Sequence, residues 1–220
     1  MGDFFGVLTN GNNGRVFLDG FTNTVELFVI AALCSLTLGM LLGAMRVSPV
    51  PTLRAFGAGY VNIVRNTPLT LVFAFLIFAV PKLGLNINPF PSACVALTVY
   101  TAAFVCEVVR SGINTVPTGQ GEAARALGMT FGQVLGLIVL PQAVRSMVPP
   151  LMSVLIAMLK NTTIAAGFSV LEAGAIQDYM SERGEPRFGV LLWVTIGFLI
   201  LILPLVAFQR YLERKWAVAR

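Results

Sequence analysis

Residues 118–146, TGQGEAARALGMTFGQVLGLIVLPQAVRS, decide how this chain is read. The stretch is rich in Gly, Ala and Gln and only about half apolar, with one acid, Glu122, and two arginines, Arg125 and Arg145. It is too apolar for a simple loop and too poor in large apolar side chains for an ordinary membrane span. Its place depends on what surrounds it.

The surroundings are apolar. Of 220 residues, 56% are hydrophobic and 11% charged, and the mean hydropathy is +0.82. A soluble domain carries about 25% charged residues, so this chain lacks the side chains for a wet surface, and lipid suits it better. The net charge of +5 is scattered between apolar runs. A basic stripe with interleaved aromatics is missing, which argues against a nucleic-acid partner. Histidine is absent, so His-based catalysis and His metal sites are excluded. Cys34, Cys94 and Cys106 fall inside apolar runs and read as small buried hydrophobes, with no disulfide framework and no metal site expected. The start, MGDFFGVLTN, has no basic region ahead of an apolar run, so no cleaved signal peptide is expected. Position 6 is Gly, where myristoylation wants Ser or Thr.

Charge-free windows of 19 residues (27–45), 24 (83–106) and 22 (188–209) mark three spans, since a helix needs about 20 residues to cross the hydrocarbon core. TPLTLVFAFLIFAVP (67–81) reaches that length when extended backwards through AFGAGYVNIV, and 146–171 is interrupted only by Lys160. The expectation is an all-α integral membrane domain over 1–220, with five transmembrane helices near 22–45, 56–81, 88–111, 147–170 and 188–209. Residues 126–144 are also free of charge, but lysine and arginine concentrate on the cytoplasmic side, and that rule decides against a sixth span. With five spans and the amino terminus outside, segments 1–26 and 171–187 each carry net −2 outside, beside Lys82. Segments 46–65, 107–145 and 210–220 carry +3, +1 and +3 inside. A sixth span would export the basic tail RYLERKWAVAR.

The opening stretch therefore belongs to a cytoplasmic loop, 114–145. GEAARALG is a run of strong helix formers between glycines, and FGQVLGLIVLPQAV is amphipathic enough to lie against the bundle. An exposed helix of small residues suits docking of a partner; a passive amphipathic connector is the plainer alternative.

At this loop the chain resembles a known family. Glu122-Ala123-Ala124, Gly128 and the run Ile138-Val139-Leu140-Pro141 match the "EAA" loop of importer-type ABC transporter permeases. VRNTPLT (64–70), GINTVPTGQGEAARALG (112–128), LPQAVR (140–145) and LKNTTIAA (159–166) resemble its polar amino-acid branch, most closely actinobacterial glutamate permeases. The resemblance implies a type I importer permease whose short helix is a coupling helix. Gly121, Glu122, Ala123, Ala124, Arg125, Gly128 and Pro141 would then engage an ATPase. Small Ala123 and Ala124 let a partner approach the backbone, Glu122 in the first turn suits the helix dipole, Gly128 lets the chain turn, and Pro141 stops or bends the next helix. The implied partners are a cytoplasmic ABC ATPase dimer, a second permease (identical or homologous), an extracellular or periplasmic amino-acid-binding protein, and the lipid bilayer of a bacterial plasma membrane. The chain itself carries no phosphate loop, because none of Lys82, Lys160 and Lys215 follows a glycine. No cofactor is expected on it, and ATP-Mg belongs to the partner.

Polar residues inside the spans mark a candidate substrate path. Lys160, twelve residues into a helix starting near Val148, falls close to mid-bilayer, where a lysine costs about 2.5–3.5 kcal/mol and should face the bundle interior. With Asn161, Thr162 and Thr163 it suggests a broken helix that lines a path; a structural lysine at a subunit interface is the alternative. Pro68 suits a first helical turn capped by Asn66 or Thr67, with Arg65 beside them at the inner interface or in a gate. Glu107 and Arg110, three residues apart near the cytoplasmic end of the third span, neutralise each other on one helix face; a role in gating is the alternative. The rival functions are a gradient-driven secondary transporter, with Glu107 or Lys160 as coupling residue, and an intramembrane enzyme, for which paired carboxylates and metal ligands are lacking.

Overall fold

The computed structural model describes residues 6–216, and every regular element among them is helical. In chain order these are α1 (Gly6–Thr9), α2 (Asn13–Val47), α3 (Pro51–Arg65), α4 (Leu69–Leu83), α5 (Pro89–Asn114), α6 (Thr118–Ala126), α7 (Phe131–Phe168), α8 (Ile176–Glu182) and α9 (Arg187–Trp216). Four of them, α2, α5, α7 and α9, are long and apolar enough to cross a membrane, and α3 with α4 makes a fifth span if the bent pair is one. Leu18, Leu33, Leu41, Ile63 and Ile200 stand exposed on their outer faces, an arrangement water would penalise and lipid does not.

The stretch expected as one span at 56–81 is two helices meeting at a 99° bend. Proline disfavours the helical region for the residue before it and lacks an N–H to donate, so the chain breaks at Thr67-Pro68. Asn66 and Thr67 do not cap α4. Their side chains donate back to the carbonyls of Asn62 (2.7 Å) and Ile63 (2.8 Å), closing the end of α3.

The helices α2 and α5 form the central seam, running in the same direction. Gly39 and Gly43 of α2 lie against Val105 and Val109 of α5, and a Cβ on Gly43 would come within 2.7 Å of Val109 Cγ1. Between lipid-soluble helices there is little hydrophobic driving force, so close van der Waals packing over small residues holds the pair. Beside this seam Leu27, Ala31, Phe73, Ala96, Leu97 and Met158 form the largest buried cluster. Phe73 stacks on Phe168 with ring centroids 5.3 Å apart, which joins α4 to the end of α7. Cys106 is buried here, but Cys34 is exposed and Cys94 half-buried, so only Cys106 is the buried small hydrophobe expected of all three.

The loop expected at 114–145 is shorter than its apolar-poor sequence suggests. From Phe131 the chain is already inside α7, which continues to Phe168. Pro141 neither stops nor redirects it. A π-helical turn, Val134–Val139, ends two residues before Pro141, and its wider spiral, which includes Leu137, relieves the clash of the proline ring with the carbonyl four residues back. Nor is the helix unwound at Lys160-Asn161-Thr162-Thr163. It stays α-helical through Asn161 and tightens to a 3-10 helix over Thr162–Phe168.

Candidate functional site

Three groups of residues bear on function, two at the end of the bundle where α6 lies and one at the other. The first is α6 itself. It starts after Pro117 and ends in a Schellman turn: Met129 N–H donates to Ala124 O (3.2 Å), Gly128 N–H to Arg125 O (2.9 Å), and Gly128 adopts φ +84°. Only glycine takes that conformation cheaply. Glu122, Ala123 and Arg125 are exposed, whereas Ala124 is buried at 3% exposure against α7. The small residues thus divide: Ala123 leaves the outer face open, and Ala124 lets α6 seat on α7. Glu122 stands in the second turn, not the first, so the dipole argument for it lapses. Gln142 donates to Gln120 Oε1 (2.6 Å), bracing α6 against α7. Around this brace Leu127, Phe131 and Leu137 are 84%, 68% and 69% exposed, forming an apolar rim beside α6.

The second group surrounds Glu107. Its pairing with Arg110 is present at 3.1 Å, but Arg46 of α2 binds the other carboxylate oxygen and Arg65 of α3 lies 3.7 Å away. One carboxylate thus joins α2, α3 and α5. Arg46 was not singled out by sequence reading, since it lies 61 residues from Glu107 and no local pattern links them. Arg65 also lies over the Phe104 ring, 5.3 Å from its centroid. A cavity of about 320 Å³ opens beside the cluster, with Arg65, Glu107, Arg110, Ser111, Thr115 and Ser146 among its walls. A second cavity of about 350 Å³ lies further along α5 and α7, lined by Tyr100, Phe104, Ser153 and Asn161 among others.

The expected path residues therefore do not gather at one place. Arg65 and Glu107 meet; Asn161 lines the second cavity; Asn66 and Thr67 serve the end of α3. Lys160 is exposed, and its ammonium makes no hydrogen bond or ion pair with another described residue. The Thr162 hydroxyl is buried and donates to Leu159 O (2.7 Å), and that of Thr163 donates to Lys160 O (2.8 Å). Both hydroxyl protons are committed to their own helix. The signal missed from sequence was the aromatic and hydroxyl face Tyr100, Phe104 and Ser153, which hydropathy counts as ordinary span.

At the opposite end, Glu172 is fully buried between α7 and α8. Thr24 of α2 donates to its Oε2 (3.1 Å) and the Gly174 N–H to its Oε1 (2.7 Å), while the Ala173 N–H donates to Thr24 Oγ1 (2.9 Å). Burial pushes the Glu172 carboxyl up to about 7 from 4.5, and these hydrogen bonds pull the other way. Nearby, Asn10 and Asn13 both donate to Glu185, at 3.1 and 2.8 Å, which ties α1 and α2 to the turn before α9.

A helical bundle with an exposed small-residue helix and a charged cavity at one end has the form of a membrane transport subunit. The family follows from comparison with known proteins: residues 35–218 match the binding-protein-dependent transport system inner membrane component family, and the chain belongs to it. It is 42% identical over 220 residues to the glutamate transport system permease protein GluC of Corynebacterium efficiens, covering 94% of this chain and 96% of that one. It is 36% identical over 204 residues to the probable glutamine ABC transporter permease protein GlnM of Bacillus subtilis, covering 93% and 94%. Among solved structures, an amino acid ABC transporter with histidines superposes with a TM-score of 0.90 at 25% identity, over 98% of this chain and 99% of that one. The MetNI methionine ABC transporter shares the fold, with a TM-score of 0.77 at 22% identity and 94% and 97% coverage.

Proposed function

We propose that this chain is the membrane-spanning permease subunit of an ATP-driven amino-acid importer whose substrate is glutamate or a closely similar polar amino acid. The observation that carries the reading is α6: a short helix capped by Gly128, exposed along Glu122, Ala123 and Arg125, and rimmed by the apolar side chains of Leu127, Phe131 and Leu137. Such a surface has no stable place in water without a partner, and a cytoplasmic ATPase is the partner the family supplies. The relatives named for glutamate and glutamine transport support the substrate class.

In this reading the amino terminus is outside and the carboxyl terminus cytoplasmic, as the loop charges favour. Two permeases and two ATPases assemble with an external binding protein. ATP-Mg binds the ATPases, and their closure moves α6. Gly121, Glu122, Ala123, Arg125 and Gly128 form the coupling surface, and Ala124 and Pro141 support it from within. Substrate released by the binding protein passes by Asn161 and the cavity at Tyr100 and Phe104 towards Arg65 and the Glu107 cluster. Lys160 faces the second permease, where an exposed lysine at membrane depth finds polar company.

Replacing Glu122→Lys or Gly128→Asp tests the reading. Both variants should insert into the membrane, yet lose co-purification with the ATPase and at least tenfold of ATP-driven uptake in proteoliposomes. Normal transport by both, or vanadate-insensitive flux driven by an ion gradient, overturns it.

A further inference from the structure

The Glu107 cluster is unbalanced. Arg46, Arg65 and Arg110 converge on one carboxylate, so three positive charges face one negative charge. The three arginines differ in how firmly they are held. Arg46 is 15% exposed, bound to Glu107, and covered by Gly57 of α3, where a Cβ would come within 2.7 Å of its side chain. Arg65 is 44% exposed and makes the longest contact, 3.7 Å. The Phe104 ring lies beneath its guanidinium, 5.3 Å away, an attraction that uses none of its N–H donors. Arg110 has a buried Nε without a hydrogen-bond partner, a donor that a low-dielectric site should not leave unmet.

Arg65 and Arg110 line the same cavity of about 320 Å³, a volume within the range of small-ligand sites. On its wall, Thr115 Oγ1 donates to Gly112 O (2.7 Å) and Ser146 Oγ to Ala143 O (2.8 Å). Their protons are committed, so what they offer a guest is oxygen lone pairs. The cavity thus combines two guanidinium groups and the Glu107 carboxylate, a net positive wall, with hydroxyl acceptors. That pattern complements a molecule with two carboxylates and one ammonium.

We infer that this cavity is a transit site for a dicarboxylic amino acid, in which Arg65 and Arg110 take the two carboxylates and Thr115 and Ser146 receive the ammonium. Glu107 is a positioning residue that holds the arginines in register while leaving them net positive. A neutral amino acid presents only one carboxylate and leaves one guanidinium unanswered. The inference rests on the importer reading above and adds the ligand class and the residues that recognise it.

The test uses the complete transporter in phosphatidylcholine proteoliposomes, with ATP-driven uptake of L-glutamate and L-glutamine measured at saturating binding protein. Arg65→Gln should lower glutamate uptake at least tenfold and raise the ratio of glutamine to glutamate uptake at least fivefold, while retained co-purification of the ATPase shows that the variant folds and assembles. Arg65→Lys should recover most of the glutamate rate. Equal loss of both uptakes in Arg65→Gln, or retained glutamate uptake, overturns the transit site and leaves the importer reading standing. Wild-type protein importing neither amino acid with ATP overturns the importer reading, and the site with it. A second arm measures binding of radiolabelled L-glutamate to the permease–ATPase complex in nanodiscs with and without phosphatidylglycerol. Binding should be unchanged by the anionic lipid; its abolition assigns the arginines to a lipid phosphate and overturns the site.

Discussion

Glu107 and Glu172 sit at opposite ends of the bundle, both withdrawn from water, and they are accommodated by opposite means. Glu107 meets three guanidinium groups from three helices. Glu172 meets, among the described residues, no cation at all, only the Thr24 hydroxyl and backbone N–H groups of the turn that follows it. The first arrangement uses charge to tie α2, α3 and α5 together and keeps a positive excess facing a cavity. The second uses neutral dipoles to pin the turn after α7 to α2, and burial leaves its carboxyl poised near neutrality, at about 7. A carboxylate with cations to spare acts outward on solutes; one with none responds to protons.

The sharpest way to break the comparison is Glu107→Gln. It strips three arginines of their shared counter-charge, and losing one partner of a largely buried pair costs about 3 kcal/mol. Thermal unfolding of the detergent-solubilised protein should show this as a clear drop in Tm; an unchanged Tm contradicts the tying role. Next comes Glu172→Gln. Because the folded state holds this proton more tightly than the unfolded chain, stability is fully present below pH 4.5 and declines as pH rises towards about 7. The wild-type protein should lose about 3 kcal/mol across that window relative to Glu172→Gln, read as a difference between their Tm–pH curves. Parallel curves contradict the buried-carboxyl account. Smallest is Arg65→Gln, whose stability change should be about 0.5 kcal/mol, since the side chain is 44% exposed and its contact is loose. A large loss in that variant means that Arg65 is held as firmly as Arg46 and is not free for solutes.

Much of the fold was legible where one property repeated along the chain. The charge-free windows mark α2, α5 and α9 because lipid demands about 20 apolar residues in a row. Boundaries were less so: α2 starts at Asn13, not near 22, because Asn13 bonds to Val7 O and Glu185 and extends the helix beyond the apolar run. The bend at Pro68 was foreshadowed by the proline, yet hydropathy averaged across it. Residues 131–145 read as loop because the loop charges ruled out a sixth span there, although they propagate into α7 without a break. Of the site, the i, i+3 pair Glu107–Arg110 was local and so readable. Arg46, the Thr24–Glu172 bond and the inward turn of Ala124 depend on helices brought together in space, which no sequence spacing encodes.

The unbroken course of α7 from Phe131 to Phe168 has a mechanical corollary. Its one end is strapped to α6 by Gln142 and its other carries Phe168, wedged against Phe73 and Phe78. A push applied at Gln120 therefore enters one continuous helix that ends at the aromatic wedge, with the π-helical turn Val134–Val139 and the 3-10 turn Thr162–Phe168 as the places where it could be absorbed.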